Sequence, residues 1–245
     1  MMRIILTHDI DSISKPILHI LKRWRRFTFK DVFMRGLGFK SLYNNLSELE
    51  KLEDKYDYRS TIFVPVTLFP LSKISEQLLM MTENGWEIGL HFVVERYQLR
   101  SLLTMEKNRL EELFGETYGV RTHMLAVSDV LLQEYWKAGF KYDSSIRVEE
   151  NGLYETYILH EKLVEIPISI MDADLFGRLN LNEKEAWKYI TRKIENAEKN
   201  GAKIFTVLFH QESLRMKGGR LYKKLLNYLS EKSYKVSRCI DVLRS

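Results

Sequence analysis

The sequence predicts an α/β protein with parallel strands, and three observations lead to this class. Short apolar runs rich in β-branched residues recur along the chain, and amphipathic stretches separate them. Isolated polar and charged residues stand at the ends of these runs. No repeat, low-complexity linker or Pro/Gly-rich boundary interrupts the pattern, so we expect one domain over residues 1–245. About seven βα units form either a closed or nearly closed barrel or a doubly wound sheet.

Each element follows from a local signal. The first strand is the apolar run Arg3–Thr7, and the later strand signals are Arg59–Val64, Trp86–His91, Gly119–Thr122, Phe140–Asp143, Leu163–Ile168 and Lys203–Phe209. Helical patterns cover Leu42–Lys55, Ile74–Thr82, Thr104–Phe114, Asp129–Ala138, Asn182–Asn200 and Leu221–Lys232. Thr104 is a typical helix start, whereas Asn84-Gly85 and Gly201 are typical helix stops. Val236–Leu243 closes the chain.

Composition indicates a cytoplasmic protein. The chain is 45% apolar and 29% charged, which is ordinary for a soluble globular domain. Its single cysteine, Cys239, has no partner for an internal disulfide, which favours a reducing compartment. No run approaches the ~20 apolar residues of a membrane span, and the apolar run after Arg3 is too short for a signal peptide.

A basic, aromatic insertion spans about residues 15–40. It holds eight Lys and Arg residues against Asp31 alone, although the whole chain carries a net charge of only +5. Such a segment could lie on the anionic inner face of a membrane, contact a lipid-linked sugar or hold a phosphorylated ligand. It could equally be a solvated insertion that packs its aromatic residues on the domain. Because the remainder has no basic surplus, nucleic acid is not expected as a partner.

Polar residues at the strand ends are the candidates for chemistry. In His8-Asp9-Ile10-Asp11, the two carboxylates of a strand-like D-x-D project to the same side. In that arrangement one carboxylate can bind a metal while the other accepts a proton. The alternative is an ordinary helix cap or Asx-turn. The other strand-end residues are His91, Arg121, His123, Asp143 and His210. In a barrel, the ends of all these strands converge on one face.

The sequence lacks the motifs of nucleotide-binding enzymes and of serine hydrolases. No G-x-G-x-x-G or G-x-x-x-x-G-K-[ST] pattern follows the first strand, which removes the main nucleotide-binding hypothesis. Ser144 and Ser145 lack a G-x-S-x-G context, which disfavours a serine hydrolase.

The order of motifs resembles the polysaccharide deacetylase superfamily (NodB-like, carbohydrate esterase family 4), in the branch with an H-D-[VI]-D first motif. The matching segments are Thr7–Asp11, Ser60–Val64, Gly85–His91, Gly119–Leu125, Ala138–Ser145 and Val207–His210. The resemblance runs from residue 5 to about 212, without the insertion. It implies a distorted (β/α)7 barrel and a hydrolase that removes N-acetyl groups from a carbohydrate.

The resemblance also implies roles for individual residues. Asp9 would be the general base, Arg121 its partner, and His210 the acid that protonates the leaving amine, with Asp143 orienting His210. Asp11 and His91 would bind a divalent metal, most simply Zn, with Mn, Fe or Co as alternatives. His8, His123 and Asp172 are candidates for substrate binding, although Asp172 could equally cap a turn.

One position departs from the family pattern. The superfamily has a second histidine four residues after the first, and here that position is Glu95. If the intervening residues form a helical turn, His91 and Glu95 share a face, and Glu95 is a candidate third ligand. The alternative is that Glu95 lies on the surface and that the metal is weak, absent, or held by His8 or His123.

The expected function is therefore removal of N-acetyl groups from an intracellular carbohydrate or glycoconjugate precursor. Two alternatives stay open. One is hydrolysis of a non-sugar amide. The other is a carbohydrate-binding barrel without catalysis, although such a module would need neither a base nor an acid.

Overall fold

The fold is built around β1 (Arg3–Asp9), a strand that is buried along nearly its whole length. The structure, a computed structural model, describes residues 2–16, 42–94 and 99–243. The predicted insertion therefore lies outside the described residues except for its first two positions, and Glu95 lies outside them as well. The later strands are β2 (Thr61–Val64), β3 (Glu87–Phe92), β4 (Gly119–Thr122), β5 (Tyr142–Asp143), β6 (Tyr157–His160), β7 (Leu163–Glu165), β8 (Ile168–Met171), β9 (Ile204–Leu208) and β10 (Lys235–Ser237).

Helices alternate with the strands and cover the outside of the sheet. They are α1 (Leu46–Asp54), α2 (Ser75–Glu83), α3 (Leu99–Phe114), α4 (Asp129–Lys137), α5 (Val148–Asn151), α6 (Glu183–Lys199), α7 (Lys217–Glu231) and α8 (Cys239–Leu243). Asn182 begins α6 with a complete capping box, in which its side chain accepts the backbone N–H groups of Lys184 and Glu185. Among the described residues, no helix has the length and apolar character needed to cross a membrane.

The parallel strands follow one another in the order β2, β3, β4, β5 on one side of β1, and β9 and β8 lie on its other side. The ring closes between β5 and the β7–β8 segment. β7 pairs with β5, and the Ile168 N–H at the start of β8 donates to the Ile146 carbonyl at 2.8 Å. The predicted distorted (β/α)7 barrel is confirmed. In the described part of the chain, β7 and β8 together take the place of one of the seven strands, since β7 pairs with β5 and β8 pairs with β9.

Proline explains why the predicted strand over Leu163–Ile168 is divided. Ile166 and Ile168 donate their N–H groups toward β5, to the carbonyls of Asp143 and Ile146. Pro167 lies between them and would face β9 on the other side, but proline has no N–H to donate to that strand. The ladder with β9 therefore begins only after the proline, with β8. The antiparallel strand β6 and the short strand β10, which pairs with the start of β1, were not predicted.

Side chains alternate between the barrel interior and the helical layer. From β1, Ile5 packs inside the barrel with Phe63 and Tyr142, whereas Ile4 and Leu6 belong to the core beneath the helices. The two large rings fit because Gly89 and Gly119 face them: a Cβ at Gly89 would lie 2.7 Å from the Phe63 ring, and one at Gly119 would overlap the Tyr142 ring. On this alternation Thr7 and Asp9 point inward, and His8 and Ile10 point outward.

Candidate active site

The carboxyl ends of the parallel strands bring the candidate residues together. Asp9 ends β1 and Asp11 follows it, while His91 lies near the end of β3. The other residues of this face are Arg121 in β4, His123 directly after β4, Asp172 directly after β8, and His210 shortly after β9. Their convergence on one face is the property that makes this end of a barrel the usual place for catalysis.

Three of these residues form a compact group of possible metal ligands: Asp11, His91 and His123. Asp11 Oδ1 lies 3.1 Å from His91 Nε2 and 3.3 Å from His123 Nδ1, and the two imidazole nitrogens are 3.1 Å apart. Zn²⁺ holds N and O ligands at about 2.0–2.2 Å, so neighbouring ligand atoms lie about 3–3.5 Å apart around the ion. The triangle therefore fits a divalent cation.

The charge of Asp11 also suits a cation site. Burial by itself would raise the pKa of Asp11, but hydrogen bonds with His123 and His91 and the charge of His210 outweigh it. The pKa of Asp11 is therefore held well below its usual range, and the side chain is a carboxylate at neutral pH.

Asp9 and Arg121 form a buried ion pair beside this triangle. Arg121 Nη1 donates to Asp9 Oδ1 at 2.8 Å, and neither residue is more than 2% exposed. The other carboxylate oxygen, Asp9 Oδ2, lies 4.0 Å from His91 Nδ1. Asp9 thus has one oxygen held by the guanidinium and the other directed toward the candidate metal ligands.

Arg121 is itself held from several sides. It donates to the Ser144 carbonyl at 2.6 Å, to Ser144 Oγ at 2.7 Å and to Thr7 Oγ1 at 3.0 Å. Its guanidinium carbon also lies 4.1 Å from the centre of the Phe63 ring. These contacts leave the guanidinium little freedom, so it can fix the position of the Asp9 carboxylate.

His210 is oriented by Asp172. His210 Nδ1 lies 2.6 Å from Asp172 Oδ1, and the His210 backbone N–H donates to Asp172 Oδ2 at 3.2 Å. His210 Nε2 faces the candidate metal group, 3.6 Å from Asp11 Oδ2. Burial alone would lower the pKa of His210, but the Asp172 carboxylate, with Asp9 and Asp11 further away, raises that pKa well above its usual value.

A family model for WbmS-like polysaccharide deacetylases matches residues 46–216. The chain belongs to this family. Polysaccharide deacetylases are hydrolases that act on N-acetyl amide bonds, so the predicted superfamily and enzyme class are confirmed. The branch with the H-D-[VI]-D motif stays a prediction.

Solved structures share the fold of this deacetylase at low sequence identity. A protein from Mycobacterium smegmatis assigned as a polysaccharide deacetylase is 20% identical, with a TM-score of 0.68 over 95% of this chain and 85% of that one. Puue allantoinase is 17% identical, with a TM-score of 0.72 over 98% and 88%.

A protein from Bordetella bronchiseptica, assigned as a polysaccharide deacetylase involved in O-antigen biosynthesis, is 16% identical, with a TM-score of 0.54 over 99% and 83%. No curated protein matches the chain.

Within the deacetylase, Asp143 does not have the predicted place beside His210. Its carboxylate accepts the Ser145 hydroxyl at 2.7 Å and the Ser145 N–H at 3.2 Å, and it also contacts the buried Glu165. Burial, followed by the nearby Asp143 charge, raises the pKa of Glu165 well above its usual value. The residue that orients His210 is Asp172, because β8 is the strand next to β9.

His8 was a candidate for substrate binding, and the structure corrects this. Its side chain is fully buried on the helical side of β1, where Nδ1 bonds the Phe209 carbonyl at 2.7 Å and Nε2 lies 2.9 Å from Glu53 Oε1. The reason is the period-two alternation of the strand, which turns His8 away from the face that Asp9 and Asp11 share.

His123 was also expected to bind substrate, and it lies in the candidate metal group instead. Glu95, the candidate third ligand, is outside the described residues. His123 is presented by an unusual backbone: the next two residues, Met124 and Leu125, both have a positive φ, of 58° and 56°. Such strain in residues other than glycine is typical of functional sites.

A cavity of about 620 Å³ opens from Asp11 and His210. Glu212, two residues after His210, lies on its wall, and sequence analysis did not single it out. Burial raises the pKa of Glu212 to about 8, so its carboxyl group is largely neutral at pH 7. The only sequence feature that points to Glu212 as a site residue is its position two residues after His210.

Proposed function

We propose that this chain is a metal-dependent N-deacetylase that releases acetate from an N-acetylated amino sugar, with Asp11, His91 and His123 as metal ligands. The observation that carries the proposal is the ligand triangle, with edges of 3.1, 3.1 and 3.3 Å, placed beside both the Asp9–Arg121 pair and the His210–Asp172 pair. Two imidazoles and one carboxylate favour Zn²⁺, although Mn, Fe and Co accept the same ligands.

Bound Zn²⁺, balanced by one carboxylate, would keep a net positive charge that polarises the acetyl carbonyl and increases the acidity of a nearby water. Asp9 accepts the proton of the attacking water through Oδ2, because Oδ1 is occupied by Arg121. Arg121 holds the base in place throughout, since its other donors are fixed by Ser144 and Thr7.

His210 supplies the proton that the leaving amine needs. Its Nδ1 is bonded to Asp172, so its Nε2 is the atom that can donate toward the substrate nitrogen. The raised pKa keeps the imidazole protonated at neutral pH, which is the state required of an acid. The products are acetate and a free amino sugar.

Metal content tests the ligand assignment directly. We expect the purified protein to bind about one equivalent of Zn²⁺, and Asp11→Ala and His123→Ala to lose it, because two ligands hold a divalent ion far more weakly than three. His160→Ala is the matched control, since His160 lies in β6, outside the candidate group, and should keep the metal. Elemental analysis after dialysis measures the result, and retention of full metal in His123→Ala would contradict this ligand set.

Acetate release tests the reaction. We expect the zinc-loaded protein to release acetate from N-acetylated amino sugars and to lose this activity in Asp11→Ala. Sugar binding without metal and without turnover would favour the carbohydrate-binding module. Hydrolysis of a non-sugar amide such as allantoin, without acetate release from any sugar, would favour the other alternative and contradict deacetylation.

The pH profile tests the role of Asp172. Because the Asp172 carboxylate raises the pKa of His210, Asp172→Asn should lower that pKa, and His210 should lose its proton at lower pH. Activity requires the protonated acid, so the alkaline limb of the kcat profile should move to lower pH, and kcat at pH 8 should fall about 10- to 100-fold. Asp174→Asn, whose carboxylate contacts Arg147 and Arg178 instead, should leave the limb in place. An unmoved limb in Asp172→Asn would contradict the assignment.

The predicted cytoplasmic location and peripheral membrane contact stay predictions, as do the domain limits of residues 1–245.

A further inference from the structure

The cavity beside the catalytic residues extends well beyond them. One end is formed by Asp11, Asp172 and His210, and the remaining wall includes the larger side chains Tyr43, Phe176 and Met216. Its volume of about 620 Å³ lies within the range of pockets that enclose an entire small ligand. The acetamido group needs only the catalytic end, so the rest of the cavity is available to other parts of the substrate.

Two lysines line this outer part of the cavity. Lys15 and Lys217 are both exposed. The charge of Lys217 also helps to lower the pKa of Glu183, which does not line the cavity. Of the three carboxyl groups on the cavity wall, Asp11 belongs to the candidate metal group and Asp172 is paired with His210. With two lysines against the one remaining carboxyl group, that of Glu212, the outer cavity carries a net positive charge.

We propose that the amino sugar deacetylated here carries an anionic group, a phosphate or a carboxylate, and that Lys15 and Lys217 bind this group in the outer cavity. The inference rests on the proposed function, and it adds the chemical class of the substrate. The catalytic end holds the N-acetyl group, and the apolar wall formed by Phe176, Tyr43 and Met216 contacts the body of the sugar.

Matched substrates test the proposal and distinguish the source of the anion. Acetate release is measured from N-acetylglucosamine, N-acetylglucosamine 1-phosphate, UDP-N-acetylglucosamine, neutral N,N′-diacetylchitobiose, and a disaccharide that joins glucuronate to N-acetylglucosamine. We expect at least one anionic substrate to have a KM about 10-fold below that of the neutral substrate of similar size. A preference for the phosphates or for the glucuronate identifies which anion is bound.

The double variant Lys15→Ser/Lys217→Ser tests the two lysines. It should raise KM for the preferred anionic substrate about 10-fold and leave both its kcat and the KM of the neutral sugars within twofold, because each exposed charge pair contributes modestly. The control is Lys232→Ser/Lys235→Ser, which removes the same charge at the opposite end of the barrel, near the start of β1. This control should leave every KM unchanged.

The outcomes separate this inference from the proposed function. Equal KM values for neutral and anionic substrates, or equal losses in the two double variants, would overturn the anion site while leaving deacetylation intact. Absence of acetate release from every N-acetylated sugar would instead overturn the proposed function.

KM for the anionic substrate should also rise severalfold between 50 and 300 mM salt, since salt screens exposed charges.

Discussion

Replacement of Asp9 by Asn should lower kcat/KM for acetate release by about 1,000-fold while the metal stays bound. The amide has nearly the same shape as the carboxylate, but it does not accept a proton from water at neutral pH, and a positioned base contributes about 10²–10⁴-fold. Asp11, His91 and His123 are unchanged, so the metal content should stay near one equivalent. Steady-state kinetics and elemental analysis of the same preparation measure both effects.

Two controls keep this result interpretable. Asp54→Asn removes a carboxylate that pairs with Arg59 at the surface, and it should keep full activity. Asp9→Asn also leaves the buried Arg121 without its carboxylate, so thermal unfolding must show that the variant is folded at the assay temperature. A folded, metal-loaded variant with more than a tenth of the normal kcat/KM would mean that another group is the base. If Asp9→Asn does not fold, Asp9→Ser, which is smaller and also lacks a base, provides the same comparison.

Replacement of Glu53 by Ala should lower the free energy of unfolding by about 4 kcal/mol. The Glu53 carboxylate is fully buried and accepts hydrogen bonds from Tyr222 Oη at 2.6 Å, Trp86 Nε1 at 2.7 Å and Ser60 Oγ at 2.8 Å. It also lies 2.9 Å from His8 Nε2. Truncation to alanine leaves these buried donors without an acceptor and opens a cavity between β1, α1 and α7.

Urea unfolding measures this loss. Glu83→Ala is the control, because Glu83 is exposed near the end of α2 and its removal should change stability by less than about 0.5 kcal/mol. If Glu53→Ala is not folded, Glu53→Gln keeps the shape and two of the acceptor sites and should show a smaller loss in the same direction. A loss below about 1 kcal/mol in Glu53→Ala would show that the buried network contributes little to stability.

Local rules were enough to place much of the site. The period of a strand put Asp9 and Asp11 on one side of β1, and the apolar runs located β2, β3, β4 and β9 to within a few residues. The same period turns His8 outward, toward Glu53, so the prediction that His8 binds substrate is wrong. The division at Pro167 also has a local cause, the missing N–H.

Local patterns along the chain predict the succession of βα units, the polar residues at their ends and the resemblance to polysaccharide deacetylases. Which of those residues meet depends on how the strands are ordered in the folded protein. Asp172 rather than Asp143 reaches His210, because β8 pairs with β9 whereas β5 lies beyond it. His123 joins Asp11 and His91 because β4 pairs with β3 in a register that sets Arg121 opposite His91. Strand order and register arise from packing between distant segments, and residues 30 to 200 positions apart have no local pattern that encodes their contact.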